Sequence, residues 1–293
     1  MNSIQCPVCG NSSKLKFKLK FNVFNCSHCG LYTSDAGFDF SFKSNLELTA
    51  REVGLKKLRF ENFEVIIKAL GEFKQGKIKG LEIGSGNGWW LKVCQENDVD
   101  CIGIEPERAH EDYHTANKLN VYYGFYPDTH IKTGTGYDFI IFNDVFEHIR
   151  AIDELLIALK ADLADDGVLI INVPMSDGFF YKTAVMLHKF GINSYLERLW
   201  QFNFHSPHMN YFNQKNLEML LNKHSFLKER DFKLNSLDFS TLKERIRADS
   251  GVNKFKAMVL TAGLTLLKSV ILSSKPDVRV FFFTKNPQAA KTV

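Results

Sequence analysis

The sequence predicts an α/β protein, a doubly wound and mostly parallel sheet with a small zinc ribbon ahead of it. Three observations carry this reading. From Lys77 to Val173 short apolar runs alternate with helical patterns, the order that builds βαβ units and a parallel sheet. One of those runs, Leu81-Glu82-Ile83, opens into Gly84-Ser85-Gly86-Asn87-Gly88-Trp89-Trp90, three glycines at alternate positions before a helical stretch. Near the start, Cys6-Pro7-Val8-Cys9 and Cys26-Ser27-His28-Cys29 form C-x2-C, sixteen residues, C-x2-C, a spacing typical of zinc sites.

A chain of 293 residues holds one large domain and a small one. At 45% hydrophobic it can bury a real core, which excludes global disorder. The net charge of +4 argues only weakly for a polyanionic partner. The N-terminus is polar and reaches a cysteine pair at once, so no signal peptide is expected. The most apolar late stretch, Ala257–Leu272, is interrupted by Lys268 and is shorter than the ~20 residues of a membrane-spanning helix. These features point to a cytoplasmic protein without a transmembrane segment.

The ribbon occupies residues 1–35. Each C-x-x-C makes a tight turn with two thiolates on one side, and Cys6, Cys9, Cys26 and Cys29 together satisfy tetrahedral zinc. Disulfides are disfavoured in a cytoplasmic chain, and a redox pair needs only one C-x-x-C. Lys14–Val23 alternates polar and apolar residues as a strand or hairpin does. Lys14, Lys16, Lys18 and Lys20 share one face of it. A solvated face is the ordinary reading, and a phosphate-bearing partner, RNA or a nucleotide-linked sugar, is the other. Residues 36–76 form a linker and a leading helix, read from Leu46 to Phe73, with Phe63, Ile66, Ile67 and Leu70 on one face. Cys94 and Cys101 fall in a helix and a strand and are read as packing residues.

Glycine suits a sharp turn that a ligand approaches closely, and the N–H groups of the helix that follows face that ligand. A dinucleotide and S-adenosylmethionine both suit such a turn. The dinucleotide fingerprint is G-x-G-x-x-G, whereas here Trp89 stands where the third glycine belongs. Glu82, inside the strand, would repel a pyrophosphate but can bind an ammonium group. Val99–Ile104 leads to Glu105, a carboxylate that can accept hydrogen bonds from ribose hydroxyls of either ligand.

The glycine stretch resembles motif I of the class I S-adenosylmethionine-dependent methyltransferases. Tyr137–Phe142, followed by Asn143-Asp144-Val145-Phe146-Glu147-His148-Ile149, is similar to that family's fourth strand and the Glu-His segment after it. Gly167–Val173 is similar to its fifth strand, Ser225–Phe232 to its sixth and Val278–Lys285 to its last. The His208-x-x-Tyr211-Phe212 run resembles a bacterial group that often carries N-terminal zinc ribbons. The resemblance covers roughly Lys77 to Leu227. It implies a seven-stranded, Rossmann-like domain over 77–293, with insertions at about 174–213 and 239–275. It also implies adenosylmethionine as cofactor, held by Glu82, Gly84, Ser85, Gly86, Gly88, Glu105, Asn143 and Asp144. Relatives often place an acidic residue after the third strand to meet the adenine. Here that strand is Val121–Tyr123, Asp128 is the nearest acid, and Phe125 can pack on the ring. Leading helices in the family often close over the cofactor.

Methyl transfer from a sulfonium is an in-line displacement that needs alignment and exclusion of water. A hydroxyl acceptor also needs a base or a metal. Asp144, Glu147 and His148 resemble the E-x-x-E-H metal set of quinone-biosynthesis O-methyltransferases, with Asp144 for the first Glu. Glu147 and His148 are the base candidates, and they equally suit the start of a helix. The aromatic insertion after the fifth strand reads as a lid or substrate wall carrying His205 and His208, with His208 on the acceptor side. Val252–Ser273 reads as one helix, apolar around most of its circumference, suited to internal packing, dimerisation or a membrane surface. The reading is therefore a methyltransferase acting at oxygen on a small molecule or sugar. One alternative is an RNA methyltransferase whose ribbon holds RNA, although no Arg-rich stripe and no N/D-P-P-Y type motif is present. Another is a non-catalytic zinc-ribbon adaptor or adenosylmethionine sensor, against which Gly84, Gly86, Gly88 and Glu105 stand intact.

Overall fold

The computed structural model describes residues 2–39, 48–129, 134–247 and 252–287. Part of the expected linker and the expected helix start at Leu46 lie outside the described residues. Four short strands open the chain: β1 (Ser3–Gln5), β2 (Ser12–Lys18), β3 (Asn22–Cys26) and β4 (Tyr32–Ser34), followed by helix α1 (Leu48–Phe73). The alternating region then gives β5 (Lys79–Ile83), α2 (Trp89–Glu96), β6 (Asp100–Glu105), α3 (Glu111–Ala116), β7 (Val121–Tyr123), β8 (Tyr137–Asn143), α4 (Ile152–Asp162) and β9 (Leu163–Pro174). Beyond it come α5 (Phe179–Lys189), α6 (Ser194–Leu199), β10 (Asn210–Tyr211), α7 (Gln214–Lys223) and β11 (Phe226–Leu234). The chain closes with α8 (Leu242–Arg247), α9 (Lys254–Leu266), α10 (Lys268–Ser273) and β12 (Val278–Lys285).

Seven strands form one sheet in the order β11-β12-β9-β8-β5-β6-β7. Only β12 runs against its neighbours. The apolar runs are continuous because both faces of the sheet are buried. Phe139, Ile141, Val168, Ile170, Val280 and Phe282 point to the face covered by α1 and α2. Ile140, Phe142, Leu169, Ile171, Phe281 and Phe283 point to the face covered by α4 and α7. On α1, Phe63, Ile66, Ile67 and Leu70 are all buried there, so that helix stripe packs against the sheet. β5 lies between β8 and β6, so the strand order reverses beside it. The crevice at the carboxyl ends there is where open α/β sheets bind ligands.

The ribbon is not closed on itself. Its sheet runs β1-β2-β3-β4-β10, and the fifth strand comes from the insertion after β9. Asn210 pairs with Thr33 and Tyr211 with Tyr32. Phe17 and Val23 of the β2–β3 hairpin share a cluster with Tyr181, Leu196, Trp200, Phe202 and Tyr211 of the insertion. The aromatic density of the insertion is thus largely core packing against the ribbon. Lys14, Lys16 and Lys18 stay exposed, while the Lys20 ammonium at the hairpin tip donates to the Phe202 carbonyl at 2.8 Å.

Two local expectations change. Glu147 and His148 do not open the next helix: they form a single 3-10 turn with Phe146, and α4 begins at Ile152. The expected helix over Val252–Ser273 is two helices that meet at Leu267, whose backbone (φ −83°, ψ 4°) leaves the helical region. That bend turns Ile271 inward.

Candidate active site

A cleft of about 670 Å³ opens at the carboxyl ends of β5, β6 and β8. That volume falls in the range of small-molecule sites. Of the residues expected from the sequence, Gly84, Gly86, Glu105, Asn143, Asp144 and His148 line it. Glu82, Ser85, Gly88, Glu147 and His208 stand behind that lining.

The glycine turn is set by backbone conformation and crowding. Gly84, Gly86 and Gly88 have φ of 74°, 49° and 74°, a region that L side chains rarely enter. A Cβ on Gly84 would lie 2.6 Å from Val145, and one on Gly88 2.7 Å from Leu119. A Cβ on Gly86 would meet nothing within 4 Å, because that position faces open space. Gly86 N–H donates to Glu105 Oε2 at 2.8 Å, and Glu107 N–H donates to Oε1 at 3.0 Å. The carboxylate therefore ties the glycine turn to the turn after β6. Burial pushes its pKa up, and the two backbone donors oppose that shift. Each oxygen keeps a second lone pair for a hydroxyl of a ligand. Ser85 is buried beneath the turn, packed against Gly103, where a Cβ would come within 2.6 Å of its hydroxyl.

Glu82 lies inside the sheet, and burial raises its carboxyl well above the usual range. Its Oε1 accepts from Asn143 Nδ2 at 2.9 Å. That bond fixes the amide and leaves Asn143 Oδ1 as a buried acceptor with no hydrogen-bond partner. An orphaned acceptor on the cleft wall fits the ammonium of an amino-acid moiety. Asp144, with φ 54°, forms an ion pair with Arg59. Arg59 comes from α1, so the leading helix does reach the cleft. Nothing in the local pattern of α1 marks this arginine, and only the fold brings it to Asp144.

Behind the wall lies a compact acid–histidine group. Glu147 is fully buried, and neither carboxylate oxygen has a hydrogen-bond partner. His208 Nε2 stands 3.8 Å from Glu147 Oε1. The His208 ring meets the His148 ring edge-on, with centroids 4.7 Å apart. Burial, then the nearby Asp144 charge, raises the Glu147 carboxyl well above its usual range. His148 Nδ1 lies 3.0 Å from the Pro207 carbonyl. A carbonyl only accepts, so that contact puts the proton on Nδ1 and the lone pair on Nε2. By resemblance, Asp144, Glu147 and His148 offer a metal set as the lesser alternative to a base. In the structure Arg59 takes Asp144, and the three-residue group is Glu147, His148 and His208, with ligand atoms within 4.8 Å of one another.

The lid histidines also part ways. His208 is buried and held away from the cleft, whereas His205 lines it and lies 3.1 Å from Glu107. Gln201, Ser206 and Phe38 complete that side, none of them marked by a sequence motif. Phe125 lines the opposite end and is 52% exposed, while the exposed Asp128 is not part of the lining.

In the ribbon the Sγ atoms of Cys6, Cys9, Cys26 and Cys29 lie within 4.8 Å of one another. The Cys6–Cys29 and Cys9–Cys26 pairs are each 3.5 Å apart. Four sulfurs at about 2.3 Å from a tetrahedral zinc would be roughly 3.8 Å apart, so the thiols fit that ion.

The model of the family described as methyltransferase domain matches residues 55–227. The chain belongs to that family. Solved methyltransferases share its architecture. A SAM-dependent methyltransferase from Thermotoga maritima has a TM-score of 0.53 at 14% identity, over 81% of this chain and 94% of that one. Phosphoethanolamine N-methyltransferase 2 from Haemonchus contortus, in complex with S-adenosyl-L-methionine, has a TM-score of 0.53 at 16% identity, over 81% of this chain and 56% of that one. A mitomycin 7-O-methyltransferase has a TM-score of 0.51 at 13% identity, over 82% of this chain and 57% of that one. At such identities these likenesses speak for the fold alone, and their named acceptors differ in the atom methylated. No curated protein matches the chain. The methyltransferase domain and the cleft geometry describe one enzyme of the adenosylmethionine-dependent class, whose acceptor is a separate question.

Proposed function

We propose that this methyltransferase transfers the methyl group of adenosylmethionine to a hydroxyl oxygen of a small molecule or sugar. The observation that carries the choice of oxygen is His148 on the cleft wall, its tautomer set by the Pro207 carbonyl. Glu105 would receive the ribose hydroxyls, Gly86 the close approach of the donor, and Asn143 Oδ1 the donor's ammonium. In the displacement the acceptor oxygen attacks the methyl carbon, the carbon–sulfur bond breaks, and the sulfonium becomes a neutral thioether. The hydroxyl proton passes to His148 Nε2. Glu147 and His208 would act through His148, positioning its ring, rather than touching the acceptor. The four thiols would hold one structural zinc, and reduced thiols suit the cytoplasm.

The test is a labelled-donor assay on a panel of small alcohols, phenols and sugars, with products identified by mass spectrometry. His148→Ala should lower turnover by ~10²-fold or more, the usual range for a lost general base, with donor affinity nearly unchanged. Full turnover in that variant would move the acceptor to an atom that needs no base, such as an amine or thiol. Label appearing in RNA instead of the panel would overturn the small-molecule reading.

A further inference from the structure

Between β11 and β12 the chain leaves the main sheet at Leu234 and returns at Val278. β11 and β9 both run against β12, and Val278 pairs with Pro174 at the end of β9. The excursion therefore lies at the carboxyl edge of the sheet, the edge on which the cleft opens. Along α9 and α10 only Ala257 and Ile271 are buried. Phe255 is 70% and Leu266 86% exposed, and Met258, Val259, Val270 and Leu272 are each at least half exposed. The internal packing that the sequence allowed for this segment is not what these helices do. A cluster of large exposed apolar side chains marks an interaction surface.

Charge decides what covers it. From residue 252 to 274 the chain carries Lys254, Lys256 and Lys268 and no Asp or Glu. Outside that window Arg247 and Asp249 precede it in sequence, and Lys275 follows, paired with Asp177 at 2.8 Å. A second copy related by a two-fold axis would set these cations against their own images. An anionic lipid surface satisfies both features: the acyl boundary takes Phe255 and Leu266, and the headgroups take the lysines. Among the described residues no helix is long and apolar enough to cross a membrane, so the pair would lie in the plane of the surface. We propose that α9 and α10 dock this methyltransferase on an anionic membrane surface.

Sedimentation of the full chain with vesicles tests this. Vesicles of phosphatidylcholine containing phosphatidylglycerol should carry the protein down, pure phosphatidylcholine far less, and added salt should release it. Phe255→Asp combined with Leu266→Asp should lower binding by ~10-fold or more, since both apolar anchors are lost. Both side chains face solvent, so the variant should melt like the parent and bind S-adenosylhomocysteine equally well. Parent and variant binding alike, or binding indifferent to phosphatidylglycerol, would overturn the proposal. So would a concentration-dependent dimer that the two substitutions dissolve, because it would assign the face to a second copy.

Discussion

Glu147 is fully buried beneath the cleft wall without a hydrogen bond to either oxygen. An ionised carboxylate in such a place is strongly disfavoured, so burial holds its pKa up and the folded protein keeps the proton. In the unfolded chain an ordinary glutamate releases it near pH 4.3. Above that value the folded state binds more protons than the unfolded one, and stability falls as pH rises toward the raised folded pKa. Glu147→Gln is neutral in both states and lacks this slope. Calorimetric melting across pH should show the variant gaining on the parent as pH rises from about 4.3. A constant offset at every pH would mean that Glu147 is ionised in the fold. Its neighbour His208 illustrates the same scale. The sequence suggested an acceptor-side lid residue, yet its ring packs on His148 and away from the cleft.

At the scale of elements, the ribbon and the insertion after β9 act as one piece. Ser34 N–H donates to the Met209 carbonyl and Ser34 Oγ to the His208 carbonyl, both at 2.8 Å. Met209 N–H in turn donates to the Glu147 carbonyl at 3.0 Å. β4 thus holds the strand that places His208 behind His148. A structural zinc contributes about 10–16 kcal/mol to a small metal domain, as much as the whole stability of an ordinary one. Losing the proposed ion should therefore unfold the ribbon and release β10 with it. Chelation, or Cys26→Ser, should lower methyl transfer sharply while the glycine turn still binds S-adenosylhomocysteine. Turnover and calorimetric binding measured side by side check this, and full activity in zinc-free protein would break the link. The ribbon also packs directly against the main domain. Cys6, Cys26 and Cys29 share a cluster with Phe212 and Leu217, which ties the two together.

At the scale of the whole molecule, the sheet reversal beside β5 brings the glycine turn, Glu105 and Asn143 to one crevice. Its chemistry favours a cationic amino-acid group over a pyrophosphate, because the orphaned Asn143 oxygen can accept from an ammonium and offers a phosphate no donor. Ligand binding to the folded state raises stability by about 2.7 kcal/mol at a hundred times Kd. S-Adenosylhomocysteine at such a concentration should raise the melting temperature, and NAD should not. A shift with NAD and none with S-adenosylhomocysteine would overturn the donor assignment.

Much of this architecture is written in short-range pattern. Unbroken apolar runs announce strands buried on both faces, alternate glycines announce a turn with positive φ, and C-x2-C pairs announce four converging thiols. Each signal depends on residues a few positions apart, so it survives without knowledge of the fold. The ion pair of Arg59 with Asp144, the meeting of His148 with His208, and the pairing of Tyr32 with Tyr211 have no such signal. Their partners are separated by dozens of residues or more, and any arginine, histidine or tyrosine looks alike in sequence. The apolar face of α9 and α10 shows the same limit from the other side. Hydrophobicity marks it as a surface that seeks cover, but only the packing of the neighbouring elements decides that it stays outside.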